Sequence, residues 1–171
     1  MPWLILWGSS VRSISSAATQ ASAGSLPLRK CRMRCANLHI DINIKGTWNC
    51  CQVAIPYMLK QGDGSIVVAS SVTGDIVADA GEVACAMPKA ALVGLIKCLA
   101  VEYASCCIRV NCTQLGYTRT PMVEKMAREF NPDDPESAID SIAVGVPMGR
   151  LAKPTERVSS LPSWAVMSLA I

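Results

Sequence analysis

Residues 66–74 read Ile66-Val67-Val68-Ala69-Ser70-Ser71-Val72-Thr73-Gly74, and this stretch decides the fold. Ile66 to Ala69 is wholly apolar and mostly β-branched, with no alternation between core and water. That is the pattern of a strand buried on both faces, which belongs to a parallel sheet covered by helices. Two serines and a glycine break the run at its carboxyl end. In open parallel sheets, ligand crevices lie beyond those ends.

Working outward, Gln61-Gly62-Asp63-Gly64 interrupts a segment whose apolar residues recur at steps of three and four: Ile40, Ile44, Trp48, Cys51, Ile55 and Met58. This spacing predicts a helix with one apolar face. Beyond the strand, a loop runs through Gly74 and Gly81. Lys89 to Tyr103 is then helical, with Leu92, Leu95, Ile96 and Leu99 on one side. Ile108-Arg109-Val110-Asn111-Cys112 is a second strand. Helix, strand, helix, strand at this spacing predicts right-handed crossovers and an α/β parallel sheet. Its strand ends are Ser70-Ser71 and Thr113 to Gly116.

Composition narrows the classes. The 171 residues suit one domain, and 51% hydrophobic against 17% charged residues exclude global disorder. Mean hydropathy is +0.32 and the isoelectric point is near 8.4. The net charge is +3 with no Lys/Arg cluster interleaved with aromatics, so no nucleic-acid partner is expected. Nine cysteines include no C-x-x-C, and His39 is the single histidine, so no metal site is expected. Those thiols read as reduced and mostly small apolar side chains, which places the protein in the cytoplasm. The apolar run Trp3 to Trp7 is too short to cross a bilayer, and no basic residue precedes it. Ala21-Ser22-Ala23 has the texture of a cleavage site, but neither secretion nor a membrane is expected.

Three regions differ in texture. Residues 1–35 are rich in Ser and Ala, end in a basic knot (Arg29, Lys30, Arg32, Arg34) and show no sustained periodicity, so disorder is expected there. Residues 36–156 carry the alternating elements. Residues 157–171 are short and without pattern.

Five pieces at the strand ends and helix starts together resemble the short-chain dehydrogenase/reductase family. They are Asn43 within Ile42-Asn43-Ile44-Lys45-Gly46, then Ser70-Ser71-Val72-Thr73-Gly74, then Lys89-Ala90-Ala91-Leu92. Arg109-Val110-Asn111 and Gly116-Tyr117-Thr118-Arg119-Thr120-Pro121-Met122 complete the set. The resemblance covers 36–156 and implies the catalytic half of a doubly wound, Rossmann-like fold. It also implies NAD or NADP as cofactor and an alcohol/carbonyl pair as substrate. Hydride moves to or from carbon while a proton moves on the attached oxygen, so a general acid/base must touch that oxygen. The family uses a tyrosine, assisted by a lysine four residues later that lowers its pKa and holds the nicotinamide ribose. Carried over by resemblance, the substrate-orienting serine is Ser71, the lysine is Lys89, and Asn43 organises a proton-relaying water. Gly116, Thr118 and Thr120 fall where the family contacts the cofactor.

The tyrosine position is Cys85. A thiol of pKa about 8.5 is acidic enough beside a phenol of about 10, but it lacks the ring's reach. Loss of a general acid/base costs roughly 10²–10⁴-fold in rate, so activity is expected to be lost or very low. Tyr103, far along the same helix, is no substitute. Pro88 is harmless in a first turn and costs about 3 kcal/mol deeper. Blander readings stand beside these. Ser70 and Ser71 suit a turn cap, Lys89 a solvated helix residue, and Asn43 a packing polar group. Thr120-Pro121 suits an N-cap with proline behind it, and Cys85 either a plain small side chain or a thiol activated by Lys89.

No G-x-G-x-x-G precedes Asn37, nor an acidic residue for the adenosine ribose, so the nucleotide-binding half and its N–H cradle for pyrophosphate are missing. The hypothesis for the flanks, residues 1–35 and 157–171, is out-of-frame translation of a disrupted gene. Ala18 to Gly24, in suitable codons read from the third base, gives Asn-Ala-Gly-Val-Cys-Arg, and Ser160 to Trp164 gives Leu-Ala-Val-Leu. The family also pairs subunits through two long helices, here Thr47 to Leu59 and Lys89 to Tyr103. The non-catalytic alternative is therefore a fragment that docks on a homologous or identical chain, or an unstable product.

Overall fold

The computed structural model describes residues 3–4, 13–17 and 27–156, the first two stretches by backbone alone. The readings made on the apolar run Trp3 to Trp7, on Ala18 to Gly24 and on residues 157–171 lie outside the described residues, apart from the backbone of residues 3–4. From Met33 the chain is helical to Gln61 without a break: α1 (Met33–His39), a π-helical turn (Ile40–Lys45) and α2 (Gly46–Gln61). Periodicity alone starts this helix at Ile40 and gives no sign of the widened turn. Its local cause is visible at Asn43, whose side-chain amide donates 3.0 Å to the His39 carbonyl. In an α-helix that carbonyl would take Asn43's own backbone N–H. Gly62, at φ +86°, ends α2 and returns its N–H to Met58 O at 2.9 Å.

Strand β3 (Gly64–Ser71) contains the apolar run read from the sequence, and residues 64–68 are buried almost throughout. Helix α3 (Val83–Tyr103) starts six residues before Lys89, where the sequence places its start. Pro88 is therefore buried inside the helix, past the first turn, and removes one backbone hydrogen bond. Strand β4 (Ile108–Leu115) extends past the predicted Cys112.

The sheet order is β1-β2-β3-β4, with β1 (Trp3–Leu4) and β2 (Ser13–Ala17) in the stretch where the sequence shows no periodicity. β2 runs parallel to β3, Ser13 opposite Ser65 and Ser16 opposite Val68, and β1 is antiparallel to β2. The fold is thus α/β with a parallel strand pair at its centre, as the buried run at 66–69 implies.

The described residues divide into two compact units, one ending at Gln114 and the other beginning at Leu115. In the first, Cys51, Ile55 and Met58 of α2 and Leu92 and Ile96 of α3 close on Ile66, Val68, Ile108 and Val110 of the sheet. In the second, α4 (Pro121–Phe130) and α5 (Pro135–Val144) enclose Ala127, Ile139, Ala143 and Leu151. Among the described residues one stretch, Val83–Cys106, is long and apolar enough to cross a membrane by length and composition. It carries Lys89, Lys97 and Glu102 and turns Leu92, Val93 and Ile96 into the core.

Candidate functional site

The carboxyl end of β3 and the first turns of α3 build the site. Ser70 is buried, and its Oγ donates 2.7 Å to the main-chain carbonyl of Lys89. Lys89 in turn sends its Nζ back 3.0 Å to the carbonyl of Ala69. Two bonds thus clamp strand to helix, one in each direction. The clamp requires Gly74 in the intervening loop: at φ +107° it lies so close to the Ala86 carbonyl that a Cβ would overlap it. Thr73 fixes the same loop, its Oγ1 donating 2.7 Å to Asp79.

Lys89 is only 4% exposed, so the solvated-helix reading does not hold. Burial pulls its pKa below the usual lysine value, and the neighbouring Cys85 opposes that pull. Cys85 lies one turn earlier on α3, half-buried. Burial raises its thiol pKa, the Glu82 charge raises it further, and Lys89 pulls against both without prevailing. The net direction for the Cys85 thiol is upward, which favours the plain small side chain over a thiol activated by Lys89. Burial and the Asp79 charge raise Glu82 as well.

The π-helical turn and the helix before it pack against α3 and bring two further polar residues to the same unit. Asn43 is 2% and His39 3% exposed. Burial first, and the Lys89 charge second, hold the His39 pKa below its ordinary value. His39 Nδ1, Asn43 Oδ1 and Asn111 Nδ2 are buried without a hydrogen-bond partner. An unpaired buried polar atom costs about 1–3 kcal/mol, a cost that folds retain where a polar contact is made in use.

Asn43, Cys85, Lys89 and the strand end that bears Ser71 thus belong to one unit. Ser71 is half-buried, and its Oγ accepts the Thr73 N–H at 3.1 Å, so the turn-cap reading describes one of its contacts. His39 and Ser70 were not singled out as functional from the sequence. A lone histidine on a helix face and a serine at a strand end carry no distinguishing signal until their burial is known.

The other predicted residues belong to the second unit. Thr118 Oγ1 donates 3.2 Å to the Gly116 carbonyl, and residue 118 bridges Ala152. Thr120 caps α4, accepting the Val123 N–H at 3.4 Å with Pro121 at the first helical position. The Thr120 geometry matches the N-cap reading of Thr120-Pro121. Arg119 grips Glu136 through two hydrogen bonds of 3.1 and 2.6 Å and reaches Glu124 at 3.3 Å.

A family profile described as "Enoyl-(Acyl carrier protein) reductase" matches residues 11–161. The chain is 58% identical over 120 residues to Oxidoreductase UcpA of Salmonella typhimurium, covering 70% of this chain and 46% of that protein. It is 41% identical over 117 residues to the 3-oxoacyl-[acyl-carrier-protein] reductase FabG of Thermotoga maritima, covering 68% and 44%. It therefore spans less than half the length of these relatives. Among solved structures it is similar to Thermoplasma acidophilum aldohexose dehydrogenase in ligand-free form, with TM-score 0.79 and 30% identity over 91% of this chain and 61% of the other. ElxO with NADP bound is similar with TM-score 0.80 and 26% identity over 92% and 62%. The profile match over most of the chain, a relative at 58% identity and a parallel strand pair with Lys89 buried against the carboxyl end of β3 agree, and the chain belongs to the short-chain dehydrogenase/reductase family.

Proposed function

We propose that this chain carries the substrate-side half of an NAD- or NADP-dependent oxidoreductase site for an alcohol/carbonyl pair, with turnover lost or very low. The observation that carries this reading is the pair on α3: Lys89, buried and tied to Ala69, with Cys85 half-buried one turn before it. Lys89 and Asn43 take the lysine and asparagine roles, and Ser71 orients the substrate oxygen. Cys85 lacks the reach to pass a proton to that oxygen.

The residues fit the nicotinamide end of a dinucleotide better than its phosphates. Lys89 offers a buried cation for a ribose, and Asn43 Oδ1 an unsatisfied buried acceptor. Gly116, Thr118 and Thr120 belong to the same reading as cofactor contacts. Nothing among the described residues supplies the glycine-rich turn that cradles pyrophosphate. When bound, the nicotinamide donates or accepts the hydride. The chain's own contribution is to hold the ribose, orient the carbonyl and exclude water. Nine thiols, none in a disulfide, fit a reducing compartment such as the cytoplasm.

Thermal unfolding with added NAD or NADP tests this reading. Protection is expected at millimolar nucleotide and absent at micromolar. No protection at any concentration overturns the cofactor assignment.

A second reading rests on a separate observation. Val83, Met87, Ala91, Gly94, Cys98 and Val101 form one exposed apolar stripe along α3, at steps of four and three. Trp48, Val53 and Tyr57 of α2 are also exposed. Stripes of this kind pair with another helix. In this reading the chain docks on an identical or homologous chain without catalysing anything.

A further inference from the structure

We propose that Cys31 and Cys35 form a redox modification site whose oxidant is glutathione disulfide, closing an internal disulfide at the start of α1. This inference does not rest on the oxidoreductase reading. The two side chains are in hydrogen-bond contact, and both are half-buried, so they meet and remain reachable. A turn organises them: the Cys31 N–H bonds Pro27 O at 3.1 Å, and the Cys35 N–H bonds Arg32 O at 2.8 Å. Disulfide formation needs such pre-alignment of both sulfurs, because a mixed disulfide resolves only if a second thiol is at hand.

The surroundings select the oxidant. Arg29, Lys30, Arg32 and Arg34 are exposed around the pair, and no Asp or Glu precedes Asp41 in the sequence. Glutathione disulfide is anionic at neutral pH, with carboxylates at both ends, and a local field of this sign raises its encounter rate. The other cysteines lack one or more of these features. Cys51 is buried with its pKa pushed up to about 11. Cys98 is exposed and well removed in sequence from the other cysteines. Cys50-Cys51 and Cys106-Cys107 are adjacent pairs, which close only a strained ring. Among the described residues no three His, Cys, Asp or Glu side chains cluster, so the pair is left to thiol chemistry rather than to a tetrahedral metal.

The step balances. The Cys31 thiolate attacks one sulfur of glutathione disulfide. The S–S bond breaks, and one glutathione leaves with the electron pair and takes up a proton. Cys35 loses its proton and attacks the Cys31 sulfur, releasing the second glutathione. Two protein thiols are oxidised, and one glutathione disulfide is reduced to two thiols. Cys31 lies ahead of α1 and Cys35 within it, so Cys31 takes the first attack and Cys35 resolves; the upward shift of the Cys35 thiol by burial and the Cys31 sulfur fits that order. The bond closes a ring across residues 32–34 at the start of the helical run that also carries His39 and Asn43.

The reduced full chain is incubated with glutathione disulfide, quenched with acid and alkylating agent, digested with trypsin and weighed. The expected species joins Cys31-Arg32 to peptide 35–45. It should appear at least about ten-fold faster than any adduct at Cys98, and slow at least about three-fold in molar salt as screening removes the field. Cys35→Ser is expected to stop at the mixed disulfide on Cys31. In denaturant the preference over Cys98 should fall several-fold, because the alignment belongs to the fold. Equal rates at Cys31, Cys35 and Cys98 in the native chain overturn the proposal, as does accumulation of the mixed disulfide in the unsubstituted chain.

Discussion

The ammonium of Lys89 donates 3.0 Å to the main-chain carbonyl of Ala69, two residues before Ser71 on β3. This contact holds a buried cation against a strand end, and its electrostatic cost is readable in solution. Burial depresses the Lys89 pKa, so between its folded value and the unfolded value of about 10.4 the unfolded chain binds more protons. Stability therefore rises with pH in that window, and the full penalty applies below it. The raised thiols at Cys85 and Cys112 act the other way, losing their contribution as pH rises. The test is the difference between the native chain and Lys89→Met, melted from pH 7.5 to 10.5. The variant is expected to lose the lysine's upward slope and to match or exceed native stability at neutral pH.

His39 gives the same physics with the sign checked at lower pH. Its folded pKa lies below the ordinary histidine value because burial and Lys89 disfavour the imidazolium. Its neutral-state stability is complete above about pH 6.5 and is lost as pH falls from there toward the folded pKa. The chain has one histidine, so a single imidazole resonance reports it. The expected midpoint is below 6.5 and moves upward in Lys89→Met.

Gly74→Ala is expected to cost about 2–3 kcal/mol, combining a left-handed backbone for alanine with overlap on Ala86 O. Gly62→Ala serves as the comparison: its φ is also positive, but a Cβ there meets nothing within 4 Å, so only about 1 kcal/mol is expected. Denaturant melts of the two variants check the difference.

The exposed stripe on α3 predicts self-association. Val101 is 71% exposed and Gly94 is exposed beside it. Val101→Glu is expected to shift sedimentation toward the monomer without changing the melt at low concentration. If the native chain is monomeric at tens of micromolar, the docking reading fails for identical copies.

Much of the first unit was legible in the sequence. The run at 66–69 implies a doubly buried strand, and the spacing from Ile40 to Met58 implies the helix packed on it. Both depend on burial of apolar side chains, which leaves a period in the sequence. The start of α3 was not legible, because Pro88 ahead of Lys89 resembles a first-turn proline although it lies inside the helix. Nor was β2 legible: Ser13–Ala17 has little apolar character, and it is a strand through pairing with Ser65 to Val68. At the candidate site, the family resemblance nominated Lys89, Asn43 and Ser71. The burial of His39, the Ser70 clamp and the raised Cys85 thiol are set by the packed environment, which no spacing encodes.

The most direct measurement replaces the thiol. Cys85→Tyr puts a phenol one turn before Lys89 and is assayed beside the unsubstituted chain, with saturating NADH or NADPH and a panel of carbonyls. The predicted result is hydride transfer raised about 10²–10⁴-fold over a near-background native chain. An unsubstituted chain that already turns over at the variant's rate, or a folded variant with no gain, contradicts the assignment of Cys85 as the missing acid.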